Sequence, residues 1–243
     1  MKSNIYILVC LMVVLVCSCN RRSGRLPSNS QPKAERCVNG KSSIIVETSE
    51  KSRQPMSGSQ IFQKYNDAVF MVYTSDGYNA FQGSGFFISP SGVAVSNYHV
   101  FKDTSVGLEV IKLSSGEMLK VEEVIAKSED NDFIIFRVKA KSNQRFKYIP
   151  VSSRTLSVGE KIYTIGSPRG LENTFSSGEV SQKRENNIIQ INAPIDHGSS
   201  GGALINMYGE AVGITFGGRD DSGANLNFAI DIKVVRKVLK GNN

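Results

Sequence analysis

The stretch Gly198-Ser199-Ser200-Gly201-Gly202 decides the fold of this 243-residue chain. Three glycines are poor material for a strand, yet apolar segments flank the stretch on both sides. Glycines allow a tight turn in which backbone N–H groups point into one concavity, and such a concavity can bind an oxyanion. We therefore predict that Ser200 is a nucleophile and that Gly198, Ser199 and Ser200 form its oxyanion hole. A plain loop of glycine and serine is the alternative.

A serine hydroxyl needs a general base, and the chain contains only two histidines. His197 lies in the same loop as Ser200, so we expect it at the rim of the site. His99 follows the apolar segment Val93–Ser96, and the end of a strand would hold a base in a fixed orientation. A single histidine is more often structural. Its pairing with the glycine-rich serine loop favours His99 as the base.

Asp132 is the candidate acid that would orient the His99 ring. It directly precedes the apolar run Phe133–Phe136, and a carboxylate against a buried strand is costly unless it is paired. Asp130 in the same polar loop is the alternative, and either aspartate could instead be a solvated loop residue.

The order of these three residues along the chain separates the fold classes. The Gly198–Gly202 stretch also fits the serine turn of α/β-hydrolases, but no histidine follows Ser200 as that class requires. The subtilisin order would need an acid before His99 and an α/β sheet. The order His99, Asp132, Ser200 is that of chymotrypsin.

The remaining sequence supports an all-β fold. Short runs rich in Val, Ile, Phe and Tyr, among them Val106–Leu113, are separated by turn residues and show no alternation with helices. About a dozen such runs predict two six-stranded antiparallel β-barrels rather than a parallel sheet. Ser57–Gln60 fits a capping box and predicts a short N-terminal helix. Asp231 is placed to cap a C-terminal helix with an apolar face.

The N-terminus predicts export. Lys2 precedes the apolar stretch Ile5–Cys17, which suits the core of a signal peptide and is short for a membrane span. The sequence Val16-Cys17-Ser18-Cys19 resembles the lipobox of bacterial lipoproteins. We therefore expect residues 1–19 to be a lipoprotein-type signal peptide with lipidation at Cys19. An ordinary cleaved signal peptide and an uncleaved anchor are the alternatives.

Residues 20–56 are rich in polar residues and proline, which predicts a flexible tether. Of the four cysteines only Cys37 remains outside the signal segment and Cys19, so no intramolecular disulfide is expected.

Composition also bears on cofactors and partners. The net charge of +7 is spread along the chain without a basic run, so nucleic acid is not an expected partner. Two histidines and one remaining cysteine do not make a metal-ligand cluster. The glycine motifs lack the lysine of a phosphate-binding loop, so we expect no cofactor.

Six blocks of sequence, in the family's order, resemble the HtrA/Deg group of trypsin-like serine proteases. The blocks are Gly83–Ile88, Ser96–Val100, Asn131–Phe133, Ile165–Gly170, Ser176–Ser181 and Gly198–Leu204. The resemblance implies a protease domain over residues 57–243. It also implies a double β-barrel whose catalytic cleft holds His99, Asp132 and Ser200.

The chain departs from the family pattern at a few positions. Ser96 stands where the family usually has threonine, and Ser199 where it usually has asparagine. The segment Phe133–Ile135 is bulkier than usual after the acid. A PDZ domain is not expected, because only Gly241–Asn243 follow the last predicted helix. Family members often form trimers, so the resemblance raises a homotrimer, which no residue establishes.

The function implied by the resemblance is ATP-independent cleavage of unfolded or extended polypeptides through an acyl-enzyme. It would take place in the bacterial envelope, on a periplasm-facing or surface lipoprotein anchored to the membrane through Cys19. A chaperone or peptide-binding module on the same fold, with little turnover, is the alternative, and an esterase on small acyl substrates is a third. The walls of the substrate pocket are predicted at Ile195, His197, Thr215, Phe216, Gly217 and residues 225–228. They favour a small or medium apolar side chain.

Overall fold

The computed structural model describes residues 35–36, 54–104, 107–167, 173–219 and 226–241. All of them belong to the unit Gln31–Asn243, and the other unit, Met1–Ser30, lies outside the described residues. The predicted signal peptide with Cys19 and most of the predicted tether are therefore outside the described part of the chain.

Strands dominate the described residues, together with two short α-helices. In chain order the elements are β1 Glu35–Arg36, α1 Gly58–Tyr65, β2 Val69–Ser75, β3 Ala80–Phe87, β4 Val93–Ser96, β5 Val110–Lys112, β6 Met118–Ser128, β7 Phe133–Val138, β8 Lys161–Gly166, β9 Thr174–Lys183, β10 Ile188–Ile191, β11 Ala203–Asn206, β12 Ala211–Arg219, β13 Leu226–Asp231 and α2 Lys233–Lys240.

The strands form two closed antiparallel barrels. In the first barrel the order is β6-β5-β2-β3-β4-β7, and the long strand β6 closes the ring because it pairs with β5 at one end and β7 at the other. The short strand β1 adds to the edge of β6, where Glu35 faces Lys127. In the second barrel the order is β10-β13-β12-β11-β8-β9. The prediction of two six-stranded antiparallel barrels is confirmed.

Buried apolar side chains form three clusters that explain this arrangement. The interior of the first barrel is rich in phenylalanine, and the interior of the second is aliphatic. The largest cluster lies between the barrels and includes side chains from both. Burial of this much apolar surface at the seam holds the two barrels together, because the hydrophobic effect scales with the area removed from water.

Both predicted helices are present. The Ser57 hydroxyl accepts a hydrogen bond from Gln60 N, and the Gln60 side chain accepts one from Ser57 N, which is the predicted capping box. Helix α1 buries Ile61 and Tyr65 against the seam. The prediction that Asp231 caps α2 is wrong in position: the N-cap residue is Ile232, which has no side-chain cap, because the helix begins one residue later than an Asp231 cap requires. The Asp231 carboxylate still accepts a hydrogen bond from Lys233 N, the first residue of the helix. Within the described residues no helix is both long and apolar enough to cross a membrane.

Candidate active site

The first barrel supplies His99 and Asp132. His99 lies in a single 3-10 turn, Tyr98–Val100, directly after β4, and Asp132 lies in the tight turn that precedes β7. Asp132 Oδ2 is 2.8 Å from His99 Nδ1, and Asp132 Oδ1 accepts a hydrogen bond of 2.8 Å from the His99 backbone N–H. One carboxylate therefore holds both the ring and the backbone of the histidine.

The turn around Asp132 is itself held in place. Asp132 adopts a left-handed backbone conformation with φ 48°, and its N–H donates to the Glu129 carbonyl. The buried Asn97 donates its side-chain N–H to the Asp132 carbonyl at 2.9 Å. Asp130, the alternative acid, is exposed in the same turn. The structure thus brings Asp132, rather than Asp130, to the imidazole.

The pKa of His99 reflects two opposing effects. Burial lowers it, while the hydrogen bond and the negative charge of Asp132 raise it, and the carboxylate prevails, so the pKa of His99 lies above its ordinary value of 6.5. A carboxylate that stabilises the protonated ring makes the neutral ring a better proton acceptor.

The second barrel supplies the serine loop between β10 and β11. Ser199 N donates to the Asp196 carbonyl at 3.0 Å, which closes a turn with Gly198 at φ 89°. The N–H groups of Gly198 and Ser200 donate no hydrogen bond to any described residue. Two of the three predicted oxyanion donors are therefore uncommitted, whereas the N–H of Ser199 is used within the turn.

Gly201 shows how closely the two barrels meet. It has φ 92°, and a Cβ at this position would overlap the Ser84 carbonyl oxygen and the Ser96 hydroxyl, both from the first barrel. Only glycine fits this backbone conformation and this close approach.

Ser200 and the turn that carries His99 both approach strand β3 at Gly83. A Cβ built on Gly83 would lie 2.7 Å from a methyl group of Val100, the neighbour of His99, and 3.1 Å from the Ser200 carbonyl oxygen. Among the described residues the Ser200 hydroxyl makes no hydrogen bond, and the only partner of the His99 side chain is Asp132. Such contacts are often long without substrate and shorten when substrate binds.

The predicted pocket residues occupy the region that leads into the serine loop and strand β12. Ile195 is half-buried against the interior of the second barrel, and His197 is exposed. Thr215 is buried, and its hydroxyl donates to the Ser199 carbonyl at 2.8 Å. Phe216 stacks on the ring of Phe228, and Gly217 lies at φ 115° where the register of β12 and β13 shifts.

Two residues near the site had no individual role in the sequence reasoning. Asn227 is buried on β13; its side-chain N–H donates to the Ala193 carbonyl at 2.8 Å, and its Oδ1 would overlap a Cβ at Gly218. Ser84 is buried on β3 and contacts the serine loop. The sequence signals for Ser84 are its place in the family-like block Gly83–Ile88 and its position as a polar residue between two glycines in strand β3.

Comparisons with known proteins agree with this geometry. Residues 83–214, more than half of the chain, match the trypsin-like peptidase domain family. A probable periplasmic serine endoprotease DegP-like of Pseudomonas savastanoi pv. phaseolicola is 36% identical over 165 residues, which are 64% of this chain and 33% of that protein. Protease Do-like 1, chloroplastic, of Arabidopsis thaliana is 28% identical over 83% of this chain and 50% of its own length.

A solved structure of a serine endoprotease is also similar to this chain. The serine endoprotease from Yersinia pestis aligns with a TM-score of 0.67 at 27% identity, covering 77% of this chain and 66% of that one. The chain spans between a third and a half of the length of the curated relatives described above. The family match, the double barrel and the shared HtrA-type relatives lead to one conclusion: the chain belongs to the trypsin-like peptidases, as an HtrA-type serine protease.

Proposed function

We propose that this serine protease is an ATP-independent endopeptidase that cleaves unfolded or extended proteins through an acyl-enzyme on Ser200. One observation supports the proposal above all: the turn that carries His99, whose imidazole is already paired with Asp132, meets a serine loop with two uncommitted N–H groups at Gly83 of β3. Base, nucleophile and oxyanion donors are the three parts that acyl transfer needs.

The chemistry begins at Ser200 Oγ. His99 Nε2 takes the hydroxyl proton as Oγ attacks the carbonyl carbon of the substrate, and the oxyanion that forms accepts hydrogen bonds from Gly198 N and Ser200 N. His99 then gives its proton to the leaving amine, and the peptide C–N bond breaks. A water molecule attacks the resulting ester, again with His99 as the base, and frees Ser200. Asp132 stays ionised and stabilises the imidazolium.

For the substrate pocket we keep the preference for a small or medium apolar side chain. Ile195 and Phe216 would supply apolar walls, and Gly217 leaves open space beside them, because a Cβ there would contact nothing within 4 Å. Polar recognition would be limited to the rim, where His197 is exposed, and to Asn227 at the mouth of the second barrel. Exposed apolar segments of unfolded proteins would fit such a pocket.

The place of action belongs to the same proposal. Residues 1–19 would direct export, residues 20–56 would tether the protease domain 57–243, and Cys19 would carry the lipid that holds it in the bacterial envelope. The names of bacterial relatives, which describe periplasmic endoproteases, support an envelope location. A Cys19→Ser substitution should move the protein from the membrane fraction to the soluble fraction. Retention at the membrane would argue for an uncleaved anchor. The homotrimer stays a prediction of the family resemblance.

A fluorophosphonate probe and unfolded casein test the proposed reaction. The wild type should be labelled and should cleave casein, and Ser200→Ala should lose both, with kcat lower by about 10⁶-fold as when a catalytic serine is removed. Ser115→Ala, at an exposed serine of the β5–β6 hairpin, is the matched control and should keep both activities. A folded wild type that binds unfolded casein without labelling or cleavage would favour the peptide-binding alternative.

A further inference from the structure

Ser84 connects the first barrel to the serine loop of the second barrel. Its side chain is fully buried, and its hydroxyl donates a hydrogen bond of 2.7 Å to the Gly198 carbonyl. Its backbone N–H donates a second bond of 2.7 Å to the Ser200 carbonyl. A single residue of β3 therefore contacts the carbonyl groups of both residues whose N–H groups are uncommitted.

These two bonds hold alternate peptide groups of the loop. The peptide that joins residues 198 and 199 is held at both ends, because its carbonyl accepts from Ser84 Oγ and its N–H donates to the Asp196 carbonyl. The peptide that follows Ser200 is held by Ser84 N. Between these two lies the peptide that carries the N–H of Ser200, and before them the peptide that carries the N–H of Gly198. Ser84 thus holds the peptides on both sides of the Ser200 N–H, while the carbonyl of the peptide between them, that of Ser199, accepts hydrogen bonds from Thr215 Oγ1 and Gly202 N. Together these bonds fix the direction of the two N–H groups.

The position of Ser84 is fixed in turn. Its carbonyl accepts a hydrogen bond of 2.7 Å from the buried Ser96 hydroxyl, and its own hydroxyl accepts one of 2.9 Å from Ser167 N, directly after β8. The hydroxyl thus uses both its donor and its acceptor capacity in a dry site, where a missing partner is costly. Gly198 on its own would give the turn little rigidity, since glycine is the most permissive residue of the backbone.

We propose that Ser84 is a positioning residue that sets the geometry of the oxyanion hole from the opposite barrel. The inference rests on the proposed acyl-transfer function, and it adds a residue that does not touch substrate to the machinery of that reaction. Ser84 acts through the peptide groups of the loop, so its loss should weaken stabilisation of the tetrahedral intermediate more than substrate binding.

The test compares Ser84→Ala with Ser152→Ala in the full-length chain. Ser152 is also fully buried, and its hydroxyl also donates one bond, to Glu210, and accepts one from a backbone N–H, that of Arg154. It is bonded to none of the loop residues, so it controls for the loss of a buried serine hydroxyl. Both variants should lower the melting temperature.

Only Ser84→Ala should lower kcat, by about 10- to 100-fold, the scale expected when a catalytic group moves by a fraction of an ångström to one ångström. KM for unfolded casein should stay close to that of the wild type, and the rate of fluorophosphonate labelling should fall together with kcat. A kcat equal to that of Ser152→Ala, or a loss confined to KM, would overturn the role of Ser84. An inactive wild type would instead overturn the proposed function and this inference with it.

Ser84→Cys keeps the test decisive if Ser84→Ala does not fold. The thiol retains the shape of the side chain but is a weak donor. The kcat of Ser84→Cys should lie between those of the wild type and Ser84→Ala. If Ser84→Ala does not fold, the kcat of Ser84→Cys should still be clearly below that of the wild type. A folded Ser84→Cys with wild-type kcat and labelling rate would contradict the proposal.

Discussion

The two barrels contribute to the site in different ways. In the first barrel His99 and Asp132 are joined by two hydrogen bonds of 2.8 Å, and both residues lie next to strand ends of that barrel. In the second barrel Ser200 lies on a glycine-rich loop, and the carbonyls of Gly198 and Ser200 are bonded to Ser84 of the first barrel. The proposed base and acid are therefore arranged within one barrel, whereas the geometry of the proposed nucleophile also depends on the interface between the two.

The interiors of the two barrels also differ in composition. The first barrel packs phenylalanine rings on one another, with ring centroids 4.7 Å apart for Phe70 and Phe87 and 4.4 Å apart for Phe87 and Phe146. The second barrel is filled by small and branched aliphatic side chains, and no aromatic residue belongs to the cluster described there. Large rings give the first barrel more buried contact area for each residue.

Among the changes that compare the two barrels, Asp132→Asn should give the largest effect, because it disrupts the pair of His99 and Asp132 that lies within the first barrel. An amide would hold the wrong tautomer of His99, and kcat should fall by about 10⁴-fold. Asp130→Asn, two residues away in the same turn, should leave kcat unchanged. A loss of activity in Asp130→Asn, with Asp132→Asn active, would assign the acid to Asp130. Steady-state cleavage of casein measures both.

Phe136→Ala tests the aromatic interior. Phe136 is fully buried, and its ring contacts those of Phe70 and Phe101 at 6.3 Å and 5.2 Å. Its truncation should lower the free energy of unfolding by about 3–5 kcal/mol. Urea denaturation followed by circular dichroism measures the change. A loss below about 1.5 kcal/mol, the range of conservative aliphatic swaps, would show that the rings do not carry the stability of this barrel.

The pH dependence of kcat/KM reports on His99. The base must be neutral to accept the Ser200 proton, and Asp132 raises the pKa of His99 above 6.5. Activity should therefore be lost as the pH falls, with a midpoint above 6.5, and by about tenfold for each pH unit below it. His197→Asn should leave this midpoint in place. A midpoint that moves with His197→Asn, or lies below 6.5, would remove His99 from the role of base.

Ile191→Val should give the smallest effect. Ile191 is fully buried in the aliphatic interior of the second barrel, and losing one methyl group should cost about 0.5–1.5 kcal/mol of unfolding free energy. Casein cleavage should be unchanged, since the hydrogen bonds that hold the serine loop come from Ser84, Thr215 and the loop itself, and none comes from Ile191. A drop in kcat without a comparable loss of stability would show that the interior of the second barrel also positions the loop.

The double barrel was predictable because its signals are local. Short apolar runs, turn residues and the capping box are all features of neighbouring residues, and they led to the correct strand count for each barrel. The run predicted at Val106–Leu113 is shorter in the structure: of its described residues, 107–113, only Val110–Lys112 form a strand. Gly107 turns with φ 93°, and Leu108 is 47% exposed, so neither residue belongs to the buried strand.

The choice between Asp130 and Asp132 needed the structure. The two residues have the same chemistry and nearly the same position in the sequence. The left-handed φ of Asp132 is part of the turn that points its carboxylate at His99. Long-range contacts were also hidden: Ser84 meets Gly198 across 114 residues, and no local pattern encodes that pairing.

The sequence pattern also does not predict which backbone N–H groups of the serine loop are hydrogen-bonded within the protein. The sequence suggested three consecutive donors, yet the turn commits the N–H of Ser199 to Asp196 and leaves only those on either side of it. Which N–H groups face a ligand depends on backbone angles at Gly198 that glycine leaves open.

The division of the site between barrels also orders events during synthesis. The first barrel is complete at Val138, and Ser200 is translated about sixty residues later, which takes on the order of seconds. A nascent chain therefore carries the proposed base and acid without the proposed nucleophile, and once Ser200 emerges the site still needs β11–β13 and docking against Ser84. We therefore expect that an unfinished chain on the ribosome cannot cut its neighbours and that proteolytic activity arises only with the last strands of the second barrel.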